Sequence, residues 1–457
     1  MSEPADRPGL FDGVLAAGPV RDLVSDRAWL AGMLAFEAAL AGAQAEVGLI
    51  PVEQAGVIAA ACRAEDYDLA GLGQAATDVG NPAAPLVRAL TAKVAEQDKE
   101  ASGQVHRGAT SQDVVDTAAM LVSKHALAAL HEELAGCGEL LAALAEEHRH
   151  TVQAGRTLLQ QAIPVSFGLT AAGWLSTVDA VLARLGQLAG SRLAVQFGGA
   201  TGTLASLGEH GPAVLAALAD RLDLAVPVLP WHTDRTRIAE LAGLLGEICG
   251  AVGKIATDVT LLAQTEVAEV IEQGPKGSGG SSTMPHKRNP VAAVAALAGA
   301  RQAPGLVSTL LGAMAHEHQR AAGSWHAEWA PLTELLRATG SAVSWLRTSL
   351  SRLRVDPERM RANLAATGGL PLAERVVSAL AGKVGRLAAH DAVTECCRRS
   401  VAENAGLAEL LAADPVVGKH LDRDRIAELL DPAGYLGSSA IFVDRALAWH
   451  RDREGAS

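Results

Sequence analysis

Residues 237–267 read "RIAELAGLLGEICGAVGKIATDVTLLAQTEV". Ile238, Leu241, Leu245, Ile248, Val252, Ile255, Val259 and Leu262 recur at alternating intervals of three and four. That interval keeps apolar side chains on one side of an α-helix and gives it a coiled-coil-like seam. The stretch therefore predicts a long rod with one face made for other rods.

Four more patterns of this kind surround it. One runs from about Ser111 to His148, with Leu127, Leu130, Leu134, Leu141 and Leu144 on one face. Another runs from about Pro164 to Leu193 and opens on a proline suited to a first helical turn. The next starts at Pro290 and is expected to kink at Pro304. The last includes Leu332, Leu336, Val343, Leu346, Leu350 and Leu353. Five rods make an elongated bundle, and helices of about 30 residues extend about 45 Å. Their remaining apolar faces are expected to be covered by further copies of the chain. Shorter helical stretches flank the rods. The expected fold is all-α: an N-terminal helical domain (1–105), a central long five-helix bundle (106–355) and a C-terminal helical domain (356–457).

Composition agrees with helices packed through small side chains, since aromatics are 3% of the 457 residues. A net charge of −12 without a Lys/Arg-rich run argues against a nucleic-acid partner. The five cysteines have no metal-like spacing and read as reduced thiols of a cytoplasmic protein. The N-terminus lacks the pattern of a signal peptide. The longest apolar run, Val291 to Ala300, is too short to span a membrane.

Three polar islands interrupt the rods. "QVHRGATSQDVVDTA" (104–118) places Thr110 and Ser111 before a helical run with Asp113 in its first turn. That suits a helix cap, and equally a carboxylate site built on free N–H groups. "GRTLLQQAIPVSFG" (155–168) reads by itself as a polar interhelical turn. "GSGGSSTMPHKRNP" (277–290) is different, because a linker needs Gly and Ser but not Met284, His286, Lys287 and Asn289. Its glycines allow close approach to a ligand, Pro290 can start a helix whose N-terminus favours an anion, and Lys287 adds positive charge.

The last island resembles a known signature. "GSSTMPHKRNP" is similar, over eleven consecutive positions, to that of the fumarase/aspartase superfamily. "HRGATSQDVVDTA" resembles the family's TSxD region and "GRTLLQQAIP" its GRTHxQ region, in the family's order. The resemblance covers nearly the whole chain. It implies an all-α, three-domain subunit in a homotetramer whose active sites each draw on three subunits. Adenylosuccinate and argininosuccinate lyases carry a catalytic histidine where this chain has Leu158. Adenylosuccinate lyases carry another before the TSxD motif, where this chain has Asn81. "GNPAAPLVRALT", "GRTLLQQA", "LPWHTDRTRIAEL", "GSWHAEWAPLTELL" and "ALAGKVGRLAAHDAV" instead resemble the branch of bacterial 3-carboxy-cis,cis-muconate cycloisomerases, although Thr236 stands where that branch suggests Asp.

The resemblance implies that a small tricarboxylate is lactonised without metal or organic cofactor, in the protocatechuate branch of aromatic degradation. Ser281 would be the acid–base group, with Lys287 and Asn289 holding the carboxylate that gathers charge. Asn81, His106, Thr110, Ser111, Thr157 and Gln160 would bind the other carboxylates. Arg235, Arg237 and Arg288 would offset a trianion, and His232 and His326 are further candidate proton donors. A lyase acting on a substituted succinate is the main alternative. A non-catalytic helical scaffold would have no need of Ser281, Lys287 and Asn289.

Overall fold

The computed structural model describes residues 9–455 apart from 276, 278, 281, 282 and 285. The fold is all-α. The long helices are Ser111–Glu147, Phe167–Ser191, Thr236–Leu262, Ser324–Arg352 and the pair Val291–Ala300 and Ala303–Gly312. All eight residues of the 238–262 seam are buried, which is why that rod could be read from spacing alone. The expected break in the fourth rod lies at Arg301 and Gln302, and Pro304 sits in the first turn of the second segment, where its missing N–H costs no helical bond.

The chain forms two compact units, each assembled from three segments. One comprises residues up to Leu134, Val181–Lys254 and Ala295–Leu346; the other comprises Ala135–Ala180, Ile255–Val294 and everything from Arg347 onward. Within the first unit, the Asp26–Glu46 helix packs on Val52–Ala61 and Gly211–Leu222. Within the second, helices Ala373–Val384 and Arg386–Glu403 close around Val376, Leu380, Val393, Leu407 and Leu411.

Two helical stretches, Asp26–Glu46 and Val291–Gly312, are long and apolar enough to cross a membrane by length and composition. The first buries Glu37 and Gln44 among its apolar residues and is a core helix of its unit. The second is interrupted at Arg301 and leaves Val291, Val294 and Leu311 exposed.

The third rod corrects the expectation. It begins at Phe167, and Pro164 belongs to a strand. Strands β1 (Val152–Thr157) and β2 (Gln160–Ser166) form an antiparallel hairpin with Thr157 paired to Gln160 and Ala154 to Pro164. The two-residue turn is Leu158–Leu159, with φ of +50° and +64°. Such a turn needs positive φ at both central positions, which Asn and Gly supply without strain and leucine does not. Gly155 lies where the register shifts, and a Cβ there would stand 2.5 Å from the Ile163 carbonyl oxygen. Strand β3 (Val270–Glu272) pairs antiparallel with β4 (Leu353–Val355).

Gly155→Ala should therefore force the hairpin apart. We expect a loss of about 1–3 kcal/mol in urea unfolding, as overpacking of a tight contact costs.

Candidate active site

In the first unit, the first island starts the Ser111–Glu147 helix. The Asp113 carboxylate reaches back to accept the Thr110 N–H at 3.1 Å, one half of a capping box. It also accepts the N–H groups of Gly198 (3.1 Å) and Gly199 (2.9 Å), and His232 Nε2 lies 2.6 Å away. Burial raises the Asp113 pKa, against the pull of the His232 hydrogen bond. His232 is thus buried, with its Nε2 committed to Asp113. Among the described residues, the hydroxyls of Thr110 and Ser111 have no partner.

His106 stands just before this cap with φ +59°. Its Nδ1 is 2.6 Å from Oε1 of the buried Glu37. Burial disfavours the imidazolium, but Glu37 and the charge of Asp113 outweigh it, so the His106 pKa is raised. Asn81 caps a helix, and His326 reaches the residue before it. Asn81 Oδ1 accepts the Ala84 N–H at the start of the Ala83–Ala95 helix, and His326 Nε2 lies 2.9 Å from the Gly80 carbonyl.

Arg235, expected to offset substrate charge, is instead committed to internal carboxylates. It is 2% exposed and donates to both oxygens of Asp116 (2.8 and 3.1 Å) and both of Glu328. Trp325 Nε1 and Gln112 Nε2 complete the hydrogen bonds to Asp116. Arg237 donates to the Arg192 carbonyl at 2.8 Å. Thr236 donates through its backbone N–H and its hydroxyl to Asp234, a local cap at the start of its helix. Arg320 joins Gln112 Oε1 (2.9 Å) to the Gly199 carbonyl (2.6 Å) and was not singled out by sequence.

In the second unit, Thr157 and Gln160 face each other at the closing pair of the hairpin, and Leu158 at its tip is 97% exposed. The hairpin is held by Arg156, whose two Nη atoms grip the buried Glu269 carboxylate, joined there by Gln153 and Asn363.

The signature loop closes on itself. Asn289 donates its backbone N–H (2.9 Å) and its side-chain Nδ2 (3.1 Å) to the Gly279 carbonyl, and Gly280 bridges to Arg288. Gly279 has φ +69°, and a Cβ there would lie 2.6 Å from the Asn289 carbonyl oxygen, so only glycine fits. The Asn289 amide is thus spent on the stem of the loop. Lys287 and Arg288 are exposed, and Ser281 lies outside the described residues. The helix N-terminus after Pro290 is also filled from within: Glu272 accepts the N–H groups of Ala292 (3.0 Å) and Ala293 (2.8 Å) and the Ser349 hydroxyl. An internal carboxylate stands where sequence reasoning would seat a substrate's.

If Arg235 is structural, Arg235→Met should cost about 3–5 kcal/mol, because two buried carboxylates lose their cation. Urea unfolding measures this. A variant of unchanged stability with only a raised KM would return Arg235 to the substrate.

Comparison with known proteins places the chain. Residues 15–305 match the family model described as Lyase, and residues 369–446 the one described as Adenylosuccinate lyase C-terminus. The 3-carboxy-cis,cis-muconate cycloisomerase of Pseudomonas aeruginosa is 49% identical over 441 residues, 96% of each chain. A nitrosuccinate lyase of Streptomyces davaonensis is 45% identical, covering 96% of this chain and 94% of that one. The crystal structure of 3-carboxy-cis,cis-muconate lactonizing enzyme from Pseudomonas putida has a TM-score of 0.93 at 43% identity, over 97% of this chain and 99% of that one. With a family model spanning most of the chain, relatives similar along nearly all of it and the signature loop between its rods, the protein belongs to the fumarase/aspartase superfamily of lyases.

Proposed function

We propose that the protein is a cycloisomerase that converts 3-carboxy-cis,cis-muconate into 4-carboxymuconolactone, in the cytoplasm and in the protocatechuate branch of aromatic degradation. The observation that carries this reading is Leu158, an apolar residue where amino-succinate lyases need an acid, in a chain 49% identical to a cycloisomerase throughout its length.

The chemistry explains the substitution. A substrate carboxylate adds to a double bond of the same molecule, and negative charge builds on the carbon beside another carboxylate. That carbon is then protonated. In reverse, the leaving group departs as a carboxylate anion and needs no strong acid, unlike a departing amine. Ser281 delivers the proton in the lactonising direction. Lys287 supplies the positive charge beside the developing aci-carboxylate, an effect worth about 3–4 kcal/mol for a preorganised donor. Asn289 serves by holding the loop closed on Gly279. His106, Thr110, Ser111, Thr157 and Gln160 bind the remaining carboxylates, with Asn81 and Arg288 at the margin. Closure of the loop excludes water from the carbanion.

These groups act together in a homotetramer with sites shared between subunits. The exposure of Leu158, Leu159, Val291, Val294 and Leu311 supports this, since such a set of apolar groups suits cover by other copies. Sedimentation should give a species near four times 47.0 kDa; a monomer at all concentrations would refute the shared site.

One observation favours a second reading. The nitrosuccinate lyase relative is 45% identical, and any group that leaves as a stable anion would equally dispense with an acid at Leu158. Two assays separate the readings: loss of ultraviolet absorbance from 3-carboxymuconate, and release of nitrite from 2-nitrosuccinate. We expect turnover in the first and none in the second. Ser281→Ala should abolish turnover while leaving the unfolding transition and the oligomer unchanged; near-normal turnover would remove Ser281 from its role.

A further inference from the structure

The Asp26–Glu46 helix is apolar on its buried face except at two positions, Glu37 and Gln44. They are seven residues apart and so share one side of the helix. Both address the same short turn. Glu37 Oε1 meets His106 Nδ1 at 2.6 Å, and Gln44 Nε2 donates to the Arg107 carbonyl at 2.6 Å. The Arg107 guanidinium is turned away, onto the Leu49 carbonyl and Gln104 Oε1. Glu37 is 1% exposed, and its second oxygen has no partner among the described residues. A carboxylate in that setting is costly unless a cation faces it, and among the described residues the basic group bonded to it is the His106 ring.

We infer that Glu37 is a positioning residue that holds His106 as an imidazolium, with Nε2 free to receive a substrate carboxylate beside Thr110 and Ser111. Glu37 fixes the proton on Nδ1 and the plane of the ring, as a carboxylate behind a histidine does. Gln44 fixes the backbone that carries it. The other charged group acting on the ring is Asp113 from the Ser111–Glu147 helix, which also favours the cation. Cys62 stays a neutral thiol, because burial and then the charge of Glu37 push its pKa up to about 12. His106 would therefore present positive charge at pH values where a free histidine has lost it, which suits a reaction whose substrate is a trianion. The sign for stability follows. A histidine whose pKa is raised by folding stabilises fully below its ordinary value near 6.5, and that contribution is lost as pH rises through the folded value.

The inference rests on His106 being a carboxylate ligand in the proposed reaction, and the test keeps the two apart. The His106 ring proton is titrated by NMR in the substrate-free protein, in the wild type, Glu37→Gln and Glu37→Asp. The wild-type ring should titrate above 6.5, Glu37→Gln should lower it by at least about one pH unit, and Glu37→Asp should lie between. With 3-carboxymuconate at pH 7.5, Glu37→Gln should raise KM roughly tenfold and leave kcat within about threefold, since one pH unit corresponds to tenfold. A merely structural Glu37 would move neither the ring titration nor the KM-against-pH profile. A wild-type ring titrating at or below 6.5, or a folded Glu37→Gln with unchanged titration and KM, overturns the inference. If Glu37→Gln does not fold, the wild-type titration decides. Absence of wild-type lactonisation would count against the proposed function alone, and the ring titration would then decide this inference by itself.

Discussion

Arg235 is a cation without water around it. Its guanidinium is shared between Asp116 and Glu328, and its face lies over the Trp231 ring. Asp116 belongs to the Ser111–Glu147 helix, Glu328 to Ser324–Arg352, and Arg235 directly precedes Thr236–Leu262. One side chain therefore ties together three rods near the polar island of the first unit. Seam packing is non-directional and tolerates sliding by a turn; a forked guanidinium between two carboxylates does not. The axial register of the rods, and hence the placing of Thr110 and Asp113, depends on this pair of contacts.

A second theme is that the chain's own anions occupy the positions most inviting to a substrate. Asp113 takes the N–H groups of Gly198 and Gly199, Glu272 takes the helix start after Pro290, and Glu269 takes Arg156. In a protein of net charge −12, these carboxylates are each satisfied from within the chain. Lys287 and Arg288, by contrast, stand exposed at the loop.

The rods were legible because a 3-4 alternation of large apolar residues has one structural meaning. The signature loop was legible because so unusual a run of residues invites comparison with a family. What could not be read was partnership across sequence. Arg235 meets carboxylates 119 and 93 residues away, so a substrate charge and a buried one looked alike. Glu272 and the helix it caps are 20 residues apart. The hairpin was missed for a local reason. Its turn is Leu-Leu instead of Asn-Gly, and Pro164 in a strand imitates a helix start. Glu37 and Gln44 belong to no motif, and only their burial and their partners in the 104–107 turn set them apart.

The Leu158–Leu159 turn has a bearing on engineering. Two leucines at positive φ hold the backbone where their side chains resist it, at a cost of order 1–3 kcal/mol each. An Asn-Gly pair would relax that strain and give a sturdier isolated chain. It would also strip two apolar groups from the tip of the hairpin that carries Thr157 and Gln160. Directed evolution for heat resistance would thus find an easy gain at this turn and discard two exposed leucines on the way. A screen that scores only survival on heating would not register whatever the exposed leucines contribute to assembly or turnover.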